Sequence, residues 1–133
     1  MVDNKFLPKL SQNLLEILDD DEYYDITIEV GNEPHIKIFH AHTVILNYRS
    51  SYLRRILSTN KKKINGTLIH IKLPNISPKV FQIILRYIYG GKLSLVEYDA
   101  SVIIKILVAA SELDLQELIP HIKHIWLRIK QTG

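Results

Sequence analysis

Apolar residues near the start of the chain fall at Leu7, Leu10, Leu14, Leu15, Ile17 and Leu18, the three-and-four spacing of an amphipathic helix. Pro8 stands where the first turn of a helix tolerates a residue without an amide hydrogen. The acidic run Asp19, Asp20, Asp21 and Glu22 ends this pattern. Residues 24–30 then alternate, with Tyr24, Ile26, Ile28 and Val30 facing one way and Asp25, Thr27 and Glu29 the other, which predicts a half-buried strand. Gly31, Asn32, Glu33 and Pro34 carry turn chemistry, so a hairpin into a second strand over 36–39 follows. From Ala41 the spacing changes to Ala41, Val44, Ile45 and Tyr48, a helical rhythm. Ser50 and Ser51 offer a cap for a second short helix carrying Tyr52, Leu53, Ile56 and Leu57.

The polar stretch 58–67 contains Lys61, Lys62 and Lys63 and ends in Asn65-Gly66, which reads as a loop. Residues 68–73 alternate again as a third strand. Ser77 is placed to cap a helix that starts at Pro78, buries Val80, Phe81, Ile84, Leu85, Ile88 and Tyr89, and stops at Gly90-Gly91. Leu93 and Leu95 suggest a short edge strand. Val102, Ile103, Ile106, Leu107, Ala109, Ala110 and Leu113 predict a helix apolar over most of its circumference, hence central. After Asp114, a last stripe runs through Leu115, Leu118, Ile119, Ile122, Ile125, Trp126 and Ile129, where Pro120 should bend or restart the helix. No internal repeat or linker divides the chain, so one domain over 1–133 is expected: a first helix over about 7–18, a core over 24–113 and a C-terminal helical segment over 115–130.

Composition narrows the function. The chain has 133 residues and no cysteine, enough for one hydrophobic core and incompatible with disulfides or thiolate zinc sites. The apolar runs are too short to cross a bilayer, which predicts a soluble protein of the cytoplasm or nucleus with no membrane partner. A net charge of +3 is weak support for a nucleic-acid binder working through the Lys61–63 loop and a basic tail of Lys123, Arg128 and Lys130, and no aromatic residues interleave with those charges. Six histidines include the pairs His40/His42 and His121/His124, but neither spacing converges on a metal site, and no metal or other cofactor is expected. The catalytic motifs are absent: no nucleophile elbow, no His-Glu-x-x-His, no phosphate loop. An enzyme is not expected. Tyr23, Tyr24, Tyr87 and Tyr89 are read as packing groups with polar tips near the surface.

Four pieces in order carry a family resemblance: Asp25-Ile26-Thr27-Ile28-Glu29-Val30; the segment from Phe39 through Ala41-His42 to Ser50-Ser51-Tyr52-Leu53; Ser77-Pro78 with Phe81, Leu85 and Tyr87-Ile88-Tyr89-Gly90-Gly91; and Leu107-Val108-Ala109-Ala110 with Leu113 and Leu115. Over roughly residues 14–118 the chain resembles the BTB/POZ domain. The resemblance implies an α+β fold, a small three-stranded sheet flanked by a cluster of helical hairpins, that works by binding proteins. Members commonly form homodimers through the first helix and the helix pair. Leu7, Leu10, Leu14, Ile17 and Leu18, with His42, Ile45 and Tyr48, are therefore the expected dimer interface, Leu15 pointing elsewhere.

Many members also bind a cullin scaffold to deliver substrate proteins to ubiquitin ligases. Tyr52, Arg55 and Ile56 with Lys61, Lys62 and Lys63 are the matching surface, although the lysines stand where such relatives carry an apolar-x-Glu triplet. The chain also ends before the helical pair that usually extends that contact. In transcription-factor relatives a strand Asp and a basic residue form a charged pocket; here Asp25 matches but Thr43 takes the basic position. Asp25 is instead expected to be a buried carboxylate accepting hydrogen bonds at the start of the helix pair. Relatives usually carry a further domain that selects the substrate; nothing of it is expected in these 133 residues.

Overall fold

The computed structural model describes residues 3–59 and 68–132. The elements run α1 (Leu7–Asp19), β1 (Ile26–Val30), β2 (Lys37–Ala41), α2 (Thr43–Arg49), α3 (Ser51–Thr59), β3 (Ile69–Leu73), α4 (Pro78–Gly90), α5 (Ala100–Glu112) and α6 (Leu118–Thr132). β1 is the middle strand, antiparallel to β2 and parallel to β3, so that Ile28 faces Phe39 on one side and Ile71 on the other. The central place explains its composition. Ile26, Ile28 and Val30 are buried while Thr27 and Glu29 are half-covered. The hairpin is local, whereas the parallel partner needs a crossover, and α2 and α3 lie on the chain between β2 and β3.

α4 is the spine of the helical layer. Ser77 Oγ accepts the Val80 amide hydrogen at 3.3 Å, Pro78 opens the helix, and Gly91 ends it in the left-handed region at φ 69°, a conformation that glycine adopts without a Cβ penalty. Val80, Phe81, Ile84, Leu85, Ile88 and Tyr89 are all buried. Phe81 meets Phe39 of β2 edge-on, with ring centroids 5.1 Å apart, which ties the helix to the sheet. The helix pair is held from outside as well as from within. Ser50 Oγ accepts from the Leu53 amide at 3.1 Å and donates to the Leu113 carbonyl at 2.8 Å, so one hydroxyl caps α3 and docks it on the end of α5.

Within the secondary-structure elements and the core, the structure departs from the sequence reading as follows. Ala41 closes β2 instead of opening a helix, because its amide partners belong to the ladder with β1. Leu93 and Leu95 form no strand; Leu95 is buried from a coil segment and fills the core without a neighbouring strand to pair with. α5 is not enclosed all round: Ile103, Ile106, Ala109 and Ala110 are buried, but Ile104 and Val108 face solvent. Tyr89 does not carry its hydroxyl to the surface; the ring is buried and the hydroxyl is used inside. Pro120 sits in the first turn of α6, where no intrahelical hydrogen bond is lost, so the helix restarts at Leu118 without a kink. The break before it is a Schellman arrangement. Asp114, at φ 57°, and Leu115 donate their amide hydrogens to the Ser111 and Ala110 carbonyls at 3.2 and 2.9 Å, and Leu115 is buried over the joint.

Candidate functional site

α1 is the only α-helix among the described residues with intermediate or exposed side chains throughout. It lies on α4, and the seat is narrow. Leu15 packs on Gly90, where an added Cβ would come within 2.7 Å of Leu15 Cγ, and Ser11 Oγ donates to the Gly90 carbonyl. Arg86 of α4 reaches Asp19 at the other end at 3.2 Å. This arrangement turns Leu15 inward and leaves much of the leucine stripe uncovered. Leu7 is 55% exposed, Leu10 54% and Ile17 42%, while Leu14 and Leu18 are half-buried, Leu18 against the core.

Beside α1, the outer face of α2 continues this apolar surface. Val44 is 61% and Tyr48 81% exposed, and Ile45 is half-buried. Between the two helices runs a groove of about 770 Å³, lined by Leu7, Leu10 and Leu14 of α1, Val44, Ile45 and Tyr48 of α2, and the Gly90–Lys92 end of α4. Five of the eight residues expected at the interface line this groove, and Ile17 lies further along α1. His42 does not join them. It is buried, and its backbone amide donates to the Tyr89 hydroxyl at 2.8 Å. That hydroxyl also stands within hydrogen-bond distance of His42 Nδ1, at 2.8 Å. Burial raises the Tyr89 pKa far above the ordinary tyrosine value, which keeps the hydroxyl protonated. His42 is thus a joint between α2 and α4. The Val44 contribution and the glycine end of the groove were not foreseen; Val44 and Tyr48 stand one turn apart, the spacing that gives a shared face.

Asp25 and Thr43 do come together. Asp25 Oδ1 accepts the Thr43 amide hydrogen at 2.8 Å and Oδ2 accepts the Thr43 hydroxyl at 2.6 Å. The expected burial is corrected, since Asp25 is exposed. From its place just before β1, the carboxylate caps α2, replacing the side-chain cap that His42, the N-cap residue, does not provide. On α3, Tyr52 and Ile56 are half-buried and Arg55 is exposed, its guanidinium 5.9 Å from the Tyr52 ring. Lys61, Lys62 and Lys63 lie outside the described residues. His40 stacks on Tyr24 with ring centroids 3.9 Å apart and meets Asp21 at 2.9 Å, so it and His42 face different neighbours. Among the described residues no group of three metal-binding side chains assembles, and no helix is long and apolar enough to cross a membrane.

A second polar joint ties α2, α4 and the start of α6. The Tyr87 hydroxyl donates to Glu117, Arg49 reaches the same carboxylate at 3.2 Å, and the Arg49 guanidinium lies over the Tyr87 ring at 5.4 Å. Burial, followed by the Glu117 carboxylate, pushes the Tyr87 pKa up to about 12. Glu117 is held below the usual carboxylate range chiefly by that hydroxyl.

A small mixed sheet under a layer of helices, bearing an apolar groove between α1 and α2, has the build of a protein-interaction module. The family model "BTB/POZ domain" matches residues 14–129, and the chain belongs to that family. It is 31% identical over 109 residues to BTB/POZ domain-containing protein 9 of Rattus norvegicus, a match covering 82% of this chain and 17% of that protein. It is 25% identical over 88 residues to Kelch-like protein 41b of Danio rerio, covering 66% of this chain and 14% of that one. The chain thus spans about a sixth of the length of the curated relatives it matches. The BTB domain of human gigaxonin has the same fold, with a TM-score of 0.74 at 22% identity and 94% of each chain covered.

Proposed function

We propose that residues 1–133 act as a single interaction domain that pairs with a second copy of itself through the α1–α2 face. The carrying observation is the continuous apolar surface formed by Leu7, Leu10, Val44 and Tyr48 around one groove. Contiguous apolar patches of this kind mark interaction sites, and a surface made of one helix and its neighbour can meet its own image about a two-fold axis. Sedimentation at micromolar concentration tests this. A dimer that Leu10→Asp converts to a folded monomer is the expected result; a monomeric parent chain overturns the reading.

A cullin scaffold is the second reading, favoured by the Kelch-like relative and by the place of α3, whose Tyr52 and Arg55 would meet it. Its cost is electrostatic, since Lys61–63 occupy the place of an apolar-x-Glu triplet and put a positive charge where its acidic member stands. Capture on immobilised protein checks it, and a cullin left wholly in the flow-through removes it. The site of action under either reading is the cytoplasm or nucleus.

A further inference from the structure

β2 is an outer strand: β1 pairs with one side of it, and no backbone hydrogen bond joins the other side among the described residues. Alternate amides and carbonyls of such a strand point outward, a template for another extended chain. A cleft of about 380 Å³ borders Lys37, Ile38, Phe39 and His40 in succession, together with Leu18 of α1 and Leu85 of α4. Side chains of a strand alternate between its two faces, so four consecutive residues border one cleft only along the backbone edge itself. The middle of this edge is apolar on both faces: Ile38 is 46% exposed on one, and Phe39 lies on the other, against Phe81 of α4. A lysine that projects from an edge strand discourages pairing. Lys37 instead stands at the first position of β2 with its ammonium 4.9 Å from the centroid of the Phe39 ring. Beside His40, towards the other end of the strand, the surroundings are acidic on balance. Asp19 and Asp21 border the cleft, Asp20 and Glu22 adjoin them in the chain, and all four are exposed. Arg86 answers Asp19 and His40 meets Asp21, whereas Asp20 and Glu22 meet no cation among the described residues.

Independently of the homodimer reading, we propose that the outer edge of β2 docks an extended peptide of a partner protein. The peptide joins the sheet as a fourth strand, lays an apolar side chain against Leu18, Phe39 and Leu85, and sets a lysine or arginine beside Asp20 and Glu22. Main-chain pairing supplies the affinity of such a contact and the alternate side chains its specificity. Selection of phage-displayed random seven-residue peptides on the immobilised full chain tests the assignment. The expected peptides alternate apolar and polar residues and carry a lysine or arginine, and a synthetic copy shifts the amide resonances of residues 37–41. Backbone N-methylation, moved one position at a time along that copy, should raise Kd roughly tenfold at every second residue and far less at those between. Docking through side chains alone does not produce that alternation. Asp20→Asn combined with Glu22→Gln should raise Kd about threefold to tenfold at low salt. Recovery of no peptide, of one whose resonance shifts map to the α1–α2 groove, or of one indifferent to the position of N-methylation overturns the edge site. A Kd unmoved by the double substitution overturns the contact with the acidic run.

Discussion

Replacing Gly90 by alanine tests how α1 is held. At an unconstrained helical position, Gly→Ala stabilises by up to about 1 kcal/mol. Here the new methyl would lie 2.7 Å from Leu15 Cγ and 2.9 Å from both Leu15 Cδ atoms. The whole isobutyl head is in the way, so no single rotamer tip can yield. Opening those contacts to ordinary carbon separations of about 3.5–4.0 Å requires α1 to retreat by roughly 1 Å. Overpacking of this kind costs about 1–3 kcal/mol, which exceeds the propensity gain over most of its range. Gly90→Ala should therefore destabilise by as much as about 2 kcal/mol in urea unfolding and weaken the Ser11 bond to the Gly90 carbonyl. Amide hydrogens of α1 should exchange faster than in the parent chain. Leu15→Ala in the same chain should restore room for the methyl, with a favourable coupling of about 0.5–3 kcal/mol between the two substitutions. A Gly90→Ala variant about 1 kcal/mol more stable than its parent, with α1 exchange unchanged, would refute the close approach of the two helices.

Asp25→Ala should cost about 1 kcal/mol, the usual worth of a helix cap, and Asp25→Asn clearly less because an amide oxygen still accepts the Thr43 amide; chemical denaturation separates the two. Ser77→Ala should likewise lose about 1 kcal/mol through the Val80 amide at the start of α4. In alkali, Tyr87 and Tyr89 have folded pKa values above their ordinary value of 10.0. Their contribution is complete below pH 10 and is lost as pH rises through the folded values, because the unfolded chain releases those protons first. Thermal midpoints should fall from about pH 10 upward, and Tyr87→Phe should flatten part of that decline; an unchanged slope would exclude Tyr87 as a source.

Much of this architecture is legible along the chain because its signals are local. The Ser77-Pro78 start and Gly91 stop of α4 follow from capping and backbone freedom, and the alternation of Ile26, Ile28 and Val30 follows from the two-residue period of a strand. The hairpin into β2 needs only a short turn. The same local reasoning misplaces Leu93 and Leu95, where alternating leucines satisfy a strand pattern but no neighbouring strand is at hand. It misjudges α5 as well, since an apolar circumference says what a helix tolerates and not what surrounds it; Ile104 and Val108 remain in water.

The candidate site divides the same way. That α1 carries more apolar surface than one face needs is written in its leucine spacing, and the family is written in motifs tens of residues apart. Period and capping depend only on residues within a turn or two of each other, so sequence determines them. Which leucines stay uncovered depends on distant partners: Leu15 is turned inward because Gly90 lets α4 approach, and His42 is withdrawn from the surface by Tyr89, 47 positions away. Burial is a property of the neighbours a side chain acquires, and only the packed structure supplies those neighbours.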